Sequence, residues 1–496
     1  MSTAPLSRRT VITGLAAAVV GWNATTRAWA TTDDAVDATA GRLSPVPALE
    51  GSLTTTAATI SEFSNDFGRL VSAAPHAVLK PGSVQDIVKI VNYARCNGLK
   101  VAMNGRSGTG TDLESHSNYG QAAVPGGISI DARCLNRIIS IGPTSAVVEP
   151  GVTWAQLTDA ALAQGLTPPC LTDYLHLSIG GTISVGGIGS TVQKYGLQAD
   201  TVESIDIVTG TGRLLTASPT RNRELFDAAL GGAGQVGVIV RATVKLVPAP
   251  ERALVFLLYY DDLATYLADQ ERLLVDGRFG SQVGEVLPAP NGAPPRYKIE
   301  TVAYYNGTTP PDRATLLRDL RPVASDTVIT DQTYREYTFR VDAFADSLKS
   351  GGYWNQPKPW LSLFLPASQA GTFMRTVAQT LSPDDLGAGL LLFYPFFTNK
   401  ITRPFAMTPS EPIAYLFDLL AFPHPTTDTS QMLPRNRRLY DYAVSLGAKR
   451  YMVGAIPQMT AADWQRHYGA RWSSFAAAKR QFDPAYTLTP GQHIFG

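Results

Sequence analysis

Residues 171–189 read LTDYLHLSIGGTISVGGIG, five glycines set among residues that otherwise favour strands. Glycine weakens a strand, because it carries no side chain to pack, unless a backbone or a ligand has to come close. The stretch is expected to be a glycine-broken strand with something flat and bulky lying against it, the alternative being a β-bulge at a domain corner. A second glycine run, GRSGTG at residues 105–110, permits a concave turn that aims successive N–H groups at an anion. It is not a P-loop, since no Gly-Lys-Ser/Thr follows, and it lacks the GxGxxG spacing of a dinucleotide fingerprint. Shortly after it comes ESHSNYGQA, residues 114–122, with a single histidine, His116, in a polar loop.

The balance of residues is that of a globular chain: 44% hydrophobic and 17% charged over 496 residues, enough for two or three domains. Lys plus Arg number 42 against 41 acidic residues, so no overall field draws in nucleic acid, an anionic membrane or a highly charged substrate. The expected partner is a small, nearly neutral molecule. Three cysteines, Cys96, Cys134 and Cys170, are too few and too scattered for a disulfide scaffold or a zinc site, and no metal is expected. At the N-terminus, Arg8-Arg9, an apolar run through Trp22 and Ala28-Trp29-Ala30 have the order of a twin-arginine export signal. Its apolar run is shorter than the roughly 20 residues of a membrane span. The expectation is an exported protein cut after residue 30.

Residues 31–60 show no periodicity and read as a loosely ordered lead-in. Beyond them helix and strand alternate. Ser83-Val-Gln-Asp86 looks like a capping box opening a helix that Gly98 ends; KVAMNG, GISIDA, RIISIG and AVVEPG read as short strands; WAQLTDAALAQG is a helix stopped at Gly165. Two strands about a Thr-Gly-Thr-Gly turn, the helix RELFDAAL and the β-branched strand VGVIVRATVKLV complete a unit closed by Pro248 and Pro250. Residues 251 to about 478, richer in proline and aromatics, read as a second, mixed domain with antiparallel strands. The fold class is therefore α+β.

The run from Gly180 to Pro250, GGTISVGGIGSTVQKYG onward, resembles the FAD-binding domain of the cytokinin dehydrogenases, within the vanillyl-alcohol oxidase superfamily. HYGARWSSFAAAKRQFDPAYTLTPGQHIF resembles their C-terminal segment and PKPWLSLFLP one of their substrate-domain strands. The resemblance implies a two-part, PCMH-type FAD-binding domain (residues 61–250), a mixed α/β substrate domain with an antiparallel sheet (251–478), and a C-terminal return to the first domain (479–496). It implies FAD attached covalently at His116, with Ser117 and Gln121 beside the flavin. Asp173 matches the catalytic aspartate, also next to the cofactor. Ser178, Gly180, Gly181, Ser184, Ile188, Val238 or Ile239, Thr489 and Gln492 fall where cofactor contacts are expected. Glu285 is the candidate second acid at the pocket mouth, and Trp360 and Tyr394 form an apolar slot for a planar substrate. His176 alternates with Tyr174 on the presumed strand and is a candidate for the substrate side; Cys170 is spaced wrongly for a second flavin tether. The extra residues of GRSGTGTDL separate the first glycines from His116. Under a second alignment Gly105, Arg106, Ser107 and Gly108 form a pyrophosphate loop, as in relatives that hold FAD without a covalent bond.

The chemistry so implied is hydride transfer from a C–H beside N–H or O–H to the flavin. Asp173 takes or hydrogen-bonds the adjacent proton, its carboxyl tuned by an apolar pocket. Oxidation of a secondary amine such as an N6-isoprenoid adenine leads; an alcohol or sugar oxidase, or a flavoprotein without turnover, are the alternatives. Oxygen or another acceptor would reoxidise the cofactor.

Overall fold

The computed structural model describes residues 19–23, 28–31, 43–107, 113, 115–289 and 293–496. Three short strands come first: β1 (Val19–Asn23), β2 (Ala28–Thr31) and β3 (Leu43–Pro45), ordered β2-β1-β3. Trp22 packs on His76, and Trp29 on Tyr93. Arg8, Arg9 and most of the presumed leader lie outside the described residues. Residues 43–60 are more ordered than expected, since they supply β3, β4 (Ser52–Thr54) and the start of the helix Ala57–Phe63.

β4 joins β5 (Ala77–Lys80), β6 (Val101–Asn104) and β7 (Ile128–Asp131) in the order β4-β5-β7-β6, with β7 parallel to both β5 and β6. The helix Val84–Cys96 makes the crossover from β5 to β6 that parallel strands require. Its start is not a capping box. Asp86 turns inward instead and accepts the N–H groups of Glu50, Gly51 and Gly82, which fastens the lead-in to the domain.

β8 (Ile138–Ile141), β9 (Ser145–Val148), β11 (Val202–Thr209), β12 (Leu214–Ala217) and β13 (Gly237–Lys245) form an antiparallel sheet ordered β12-β11-β13-β9-β8. Between them β10 (Leu166–Thr167) pairs with β14 (Val247–Pro248). The glycine-rich stretch is not a strand. Residues 171–178 are irregular and Ile179–Val185 form a helix, with Ile179 and Ile183 one turn apart on its buried face.

The remaining strands, β15 (Arg252–Tyr260), β16 (Ser281–Leu287), β17 (Arg296–Tyr305), β18 (Val328–Thr333), β19 (Leu361–Pro366), β20 (Leu390–Phe397), β21 (Ile413–Leu420) and β22 (Lys449–Arg450), make one antiparallel sheet ordered β18-β15-β17-β16-β20-β21-β19-β22. Strand alternation splits its residues between two cores. Tyr415, Phe417 and Leu419 of β21 face the layer that holds the helix Ala367–Thr380, whereas Ala414 and Leu416 join the core shared with the first sheets. The chain then returns: Leu488 bridges Val101 of β6, and the Val101 N–H donates to the Thr487 carbonyl.

Candidate active site

A cavity of about 560 Å³ lies between the two sets of sheets, within the range of about 300–1,000 Å³ typical of cofactor and ligand sites. One wall is backbone-rich. Gly105 and Ser107 follow β6, Gly180, Gly181 and Ser184 come from the helix Ile179–Val185, and Ser178 precedes it; Val238 and Ile239 of β13 and Thr489 of the returning tail complete the wall. The tail is held there by Thr489 Oγ1, which donates to the Gly234 carbonyl, and by Gln235, which donates to the Thr489 carbonyl. At the end of the helix Gly186 and Gly187 take positive φ, 122° and 74°. That sharp turn, open to glycine at little cost, brings the N–H groups of Gly187 and Ile188 onto the Tyr451 hydroxyl at 3.1 and 3.2 Å.

His116, Ser117 and Gln121 face the same cavity from a loop that is fastened at several points. The Gly120 N–H donates to buried Asp66 at 2.7 Å, Gly68 N–H to the Ser117 carbonyl, and Asn118 to the Lys358 carbonyl. Lys358 is fully buried and its ammonium donates to the carbonyls of Phe67, Trp354 and Gln356. Burial lowers that ammonium to about 7 and raises the Asp66 carboxyl to about 6. The imidazole of His116 lies between Phe67 and Tyr174, ring centres 5.4 and 5.6 Å away, with the Trp360 ring perpendicular to it and 4.9 Å away centre to centre. Burial, reinforced by the Lys358 charge, pushes His116 down to about 3, so it is a neutral nitrogen base at physiological pH.

The opposite wall is one transverse row of the large sheet. Register sets Lys298 against Glu285, Glu285 against Leu392, and Leu392 against Asp418, and all four face the cavity. Glu285 is ion-paired with Lys298. Asp173, from the irregular loop, also faces the cavity, but its surroundings are not the apolar pocket expected of it. The Arg340 guanidinium bridges Asp173 and Glu300 at 2.8 Å each, and its face lies on the Tyr337 ring. Val341, Phe344, Ala345 and Leu348, spaced as one face of the helix Val341–Ser350, close the space above, and Trp360 and Tyr394 also line the cavity.

Several sequence-derived assignments end up elsewhere. Arg106 is buried and turned away from the cavity, its guanidinium over the Phe63 ring and donating to the Asn65 carbonyl. Gln492 is not in the lining: it accepts from Arg450 and donates to the Tyr119 carbonyl. His176 lies outside the lining on a loop rather than a strand, paired with Asp342 at 3.2 Å, and Cys170 is buried with its thiol on the Gly196 carbonyl. Gly108 lies outside the described residues. Sequence reasoning missed Arg340, Glu300, Lys298, Tyr451 and Asp418. Of these Lys298 and Glu300 were signalled by the alternation in RYKIETV, and Asp418 by being the one charged residue of IAYLFDLL.

The lining fits a flavin. The Ser117 hydroxyl is buried at the cavity with no hydrogen-bond partner among the described residues. A wall of glycines and small side chains accepts a flat ring system, and a neutral imidazole faces it. The comparisons agree. A model of the FAD binding domain matches residues 75–218, and one for the FAD- and cytokinin-binding part of cytokinin dehydrogenase 1 matches residues 281–495. An uncharacterised oxidoreductase of the fasciation locus of Rhodococcoides fascians is 35% identical over 86% of this chain and 95% of its own. Cytokinin dehydrogenase 4 of Arabidopsis thaliana is 32% identical over 88% and 91%, and cytokinin dehydrogenase 1 of Oryza sativa subsp. japonica 33% over 87% and 89%. With both halves matched and whole-length relatives above 30% identity, this chain belongs to the cytokinin dehydrogenase family of FAD-dependent oxidoreductases.

Proposed function

We propose that the protein oxidises a planar secondary amine, an N6-isoprenoid adenine being the leading candidate, to an imine that water then hydrolyses. The observation that carries this reading is Asp173, a carboxylate facing the same cavity as the glycine wall, Trp360 and Tyr394. Arg340 holds its Oδ1, and Oδ2 has no hydrogen bond among the described residues. Bound FAD supplies the hydride acceptor. The protein's part is to hold the C–H within roughly 3.5 Å of that acceptor and to give the departing N–H proton a place at Asp173 Oδ2. Trp360 and Tyr394 supply flat apolar surface for the substrate ring. Anaerobic bleaching of the flavin by isoprenoid adenines, with benzylic amines, alcohols and sugars as controls, tests the reading. Fast bleaching by the adenines is expected, and bleaching by alcohols or sugars alone overturns it.

His116 is, on the same reading, the covalent tether of the flavin, because it is neutral, fixed by three rings and next to the unpartnered Ser117 hydroxyl. Protein denatured and precipitated in acid should keep its yellow fluorescence, and a His116→Ala protein should lose it. Colour released from wild-type protein into the supernatant removes the tether.

A further inference from the structure

Asp418 lies at the centre of β21 and, by strand alternation, on the face that lines the cavity together with Leu416 and Leu420. It is 8% exposed. The Ser362 hydroxyl donates to its Oδ1, and no cation pairs with it among the described residues. The groups that face it are Asp173 from the loop, Tyr394 from β20 and Tyr451 beyond β22; Glu285 and Lys298, further along the row, satisfy each other. The two aspartates of the site therefore differ in kind. Asp173 has a guanidinium and is an acceptor. Asp418 has only a hydroxyl and a like charge opposite, and burial followed by the Asp173 charge pushes it up to about 7. With Oδ1 accepting from Ser362, Oδ2 is the oxygen left to carry the proton when the carboxyl is neutral, and a protonated carboxyl is a hydrogen-bond donor. Environments that push two neighbouring carboxyls apart give them opposite roles.

We propose that Asp418 is a specificity-determining residue, donating a hydrogen bond to a ring nitrogen that flanks the amine whose N–H Asp173 accepts. The proposal rests on the amine-oxidation reading above. An N6-substituted adenine presents that donor–acceptor pattern, its N–H lying between N1 and N7, and a benzylic amine does not. The site thus selects heteroaromatic amines by two adjacent contacts of opposite sense. The donor is present below about pH 7 and is lost as pH rises through that value, when Asp418 becomes a second negative charge facing Asp173. Tyr394 and Tyr451 keep their protons throughout, because burial lifts both phenols well above their ordinary range.

The test compares anaerobic flavin reduction by N6-isopentenyladenine with that by its 1-deaza and 7-deaza analogues, at limiting substrate. One of the two analogues should react roughly ten- to a hundredfold more slowly with wild type, since a buried donor is then left without a partner. Asp418→Leu should lose that discrimination. Asp418→Asn, whose amide still donates, should keep it but lose the fall in activity above pH 7. Adenine binding, read by quenching of tryptophan fluorescence, should weaken through pH 7 in wild type and stay level in Asp418→Asn. Equal rates for all three substrates with wild type, discrimination that survives in Asp418→Leu, or an unchanged pH limb in Asp418→Asn each overturn the proposal. Should the leucine variant fail to fold, the pH behaviour of the asparagine variant decides. Failure of wild type to oxidise the parent amine overturns the underlying reading instead.

Discussion

Asp173→Asn should slow reduction of the bound flavin at saturating substrate by about 10²–10⁴-fold, the usual contribution of a positioned proton acceptor. Asparagine matches aspartate in shape, and Arg340 keeps its second carboxylate, Glu300, so the loop and the helix Val341–Ser350 stay in place. What the substitution removes is the anionic oxygen that faces the cavity. The loss should therefore fall on the rate of reduction and leave substrate affinity little changed, the pattern of an interaction made chiefly in the transition state. Rapid mixing under anaerobic conditions separates the two quantities. A wild-type rate in the variant removes Asp173 from the chemistry and leaves it as a partner that orders Arg340.

Arg340 also shows where reading the sequence stopped. It meets Asp173 across 167 positions, and no local pattern announces such a pair. Without it the surroundings of Asp173 were expected to be apolar. The glycine stretch was misread for a different reason. Its residues favour strands, but Ile179 and Ile183 bury one face of a short helix, and a Cβ on Gly180 would come within 2.6 Å of the Pro150 side chain. The close approach inferred from the glycines is real. It is made within the protein, by Pro150 at Gly180, Ser178 at Gly181 and Gln198 at Gly187, while all three glycines also line the cavity. GRSGTG misled in a third way, since Gly105 and Ser107 face the cavity whereas Arg106 between them points into the domain. Legible from the start were the helices and strands around residues 84–96 and 202–245, the antiparallel second half, and the placing of His116, Gln121 and Thr489 around one space. Those rest on strong local periodicity or on the family resemblance. Asp418 was visible as a lone carboxyl in an apolar strand, and only the register that sets it in one row with Glu285 gives it meaning.

Asp483→Ala should cost about 3–5 kcal/mol of stability, the price of leaving one member of a buried ion pair alone. Asp483 and Lys479 are 0% and 1% exposed, and their charged groups meet at 2.8 Å across one helical turn. The ammonium also donates to the Gln235 and Leu488 carbonyls, and the carboxylate accepts the N–H groups of Thr487 and Leu488. This cluster fixes the direction in which the tail leaves the helix Trp472–Phe482 and so delivers Leu488 to Val101 and Thr489 to the cavity wall. Burial already lowers Lys479 against the opposing pull of Asp483, and removing the carboxylate lowers it further. A lysine held below its unfolded value destabilises most where it is still forced to carry its charge and least where it is neutral in both states. The deficit, read from guanidinium midpoints, should therefore be largest below the lowered Lys479 value and shrink as pH rises through it toward the ordinary lysine range. A change in flavin absorbance and fluorescence in the variant, at denaturant concentrations that leave the large sheet folded, would tie the same cluster to the cofactor wall. A deficit that is absent at every pH would mean that the tail is held by its pairing with Val101 and its contacts with Gly234 and Gln235, without help from the ion pair.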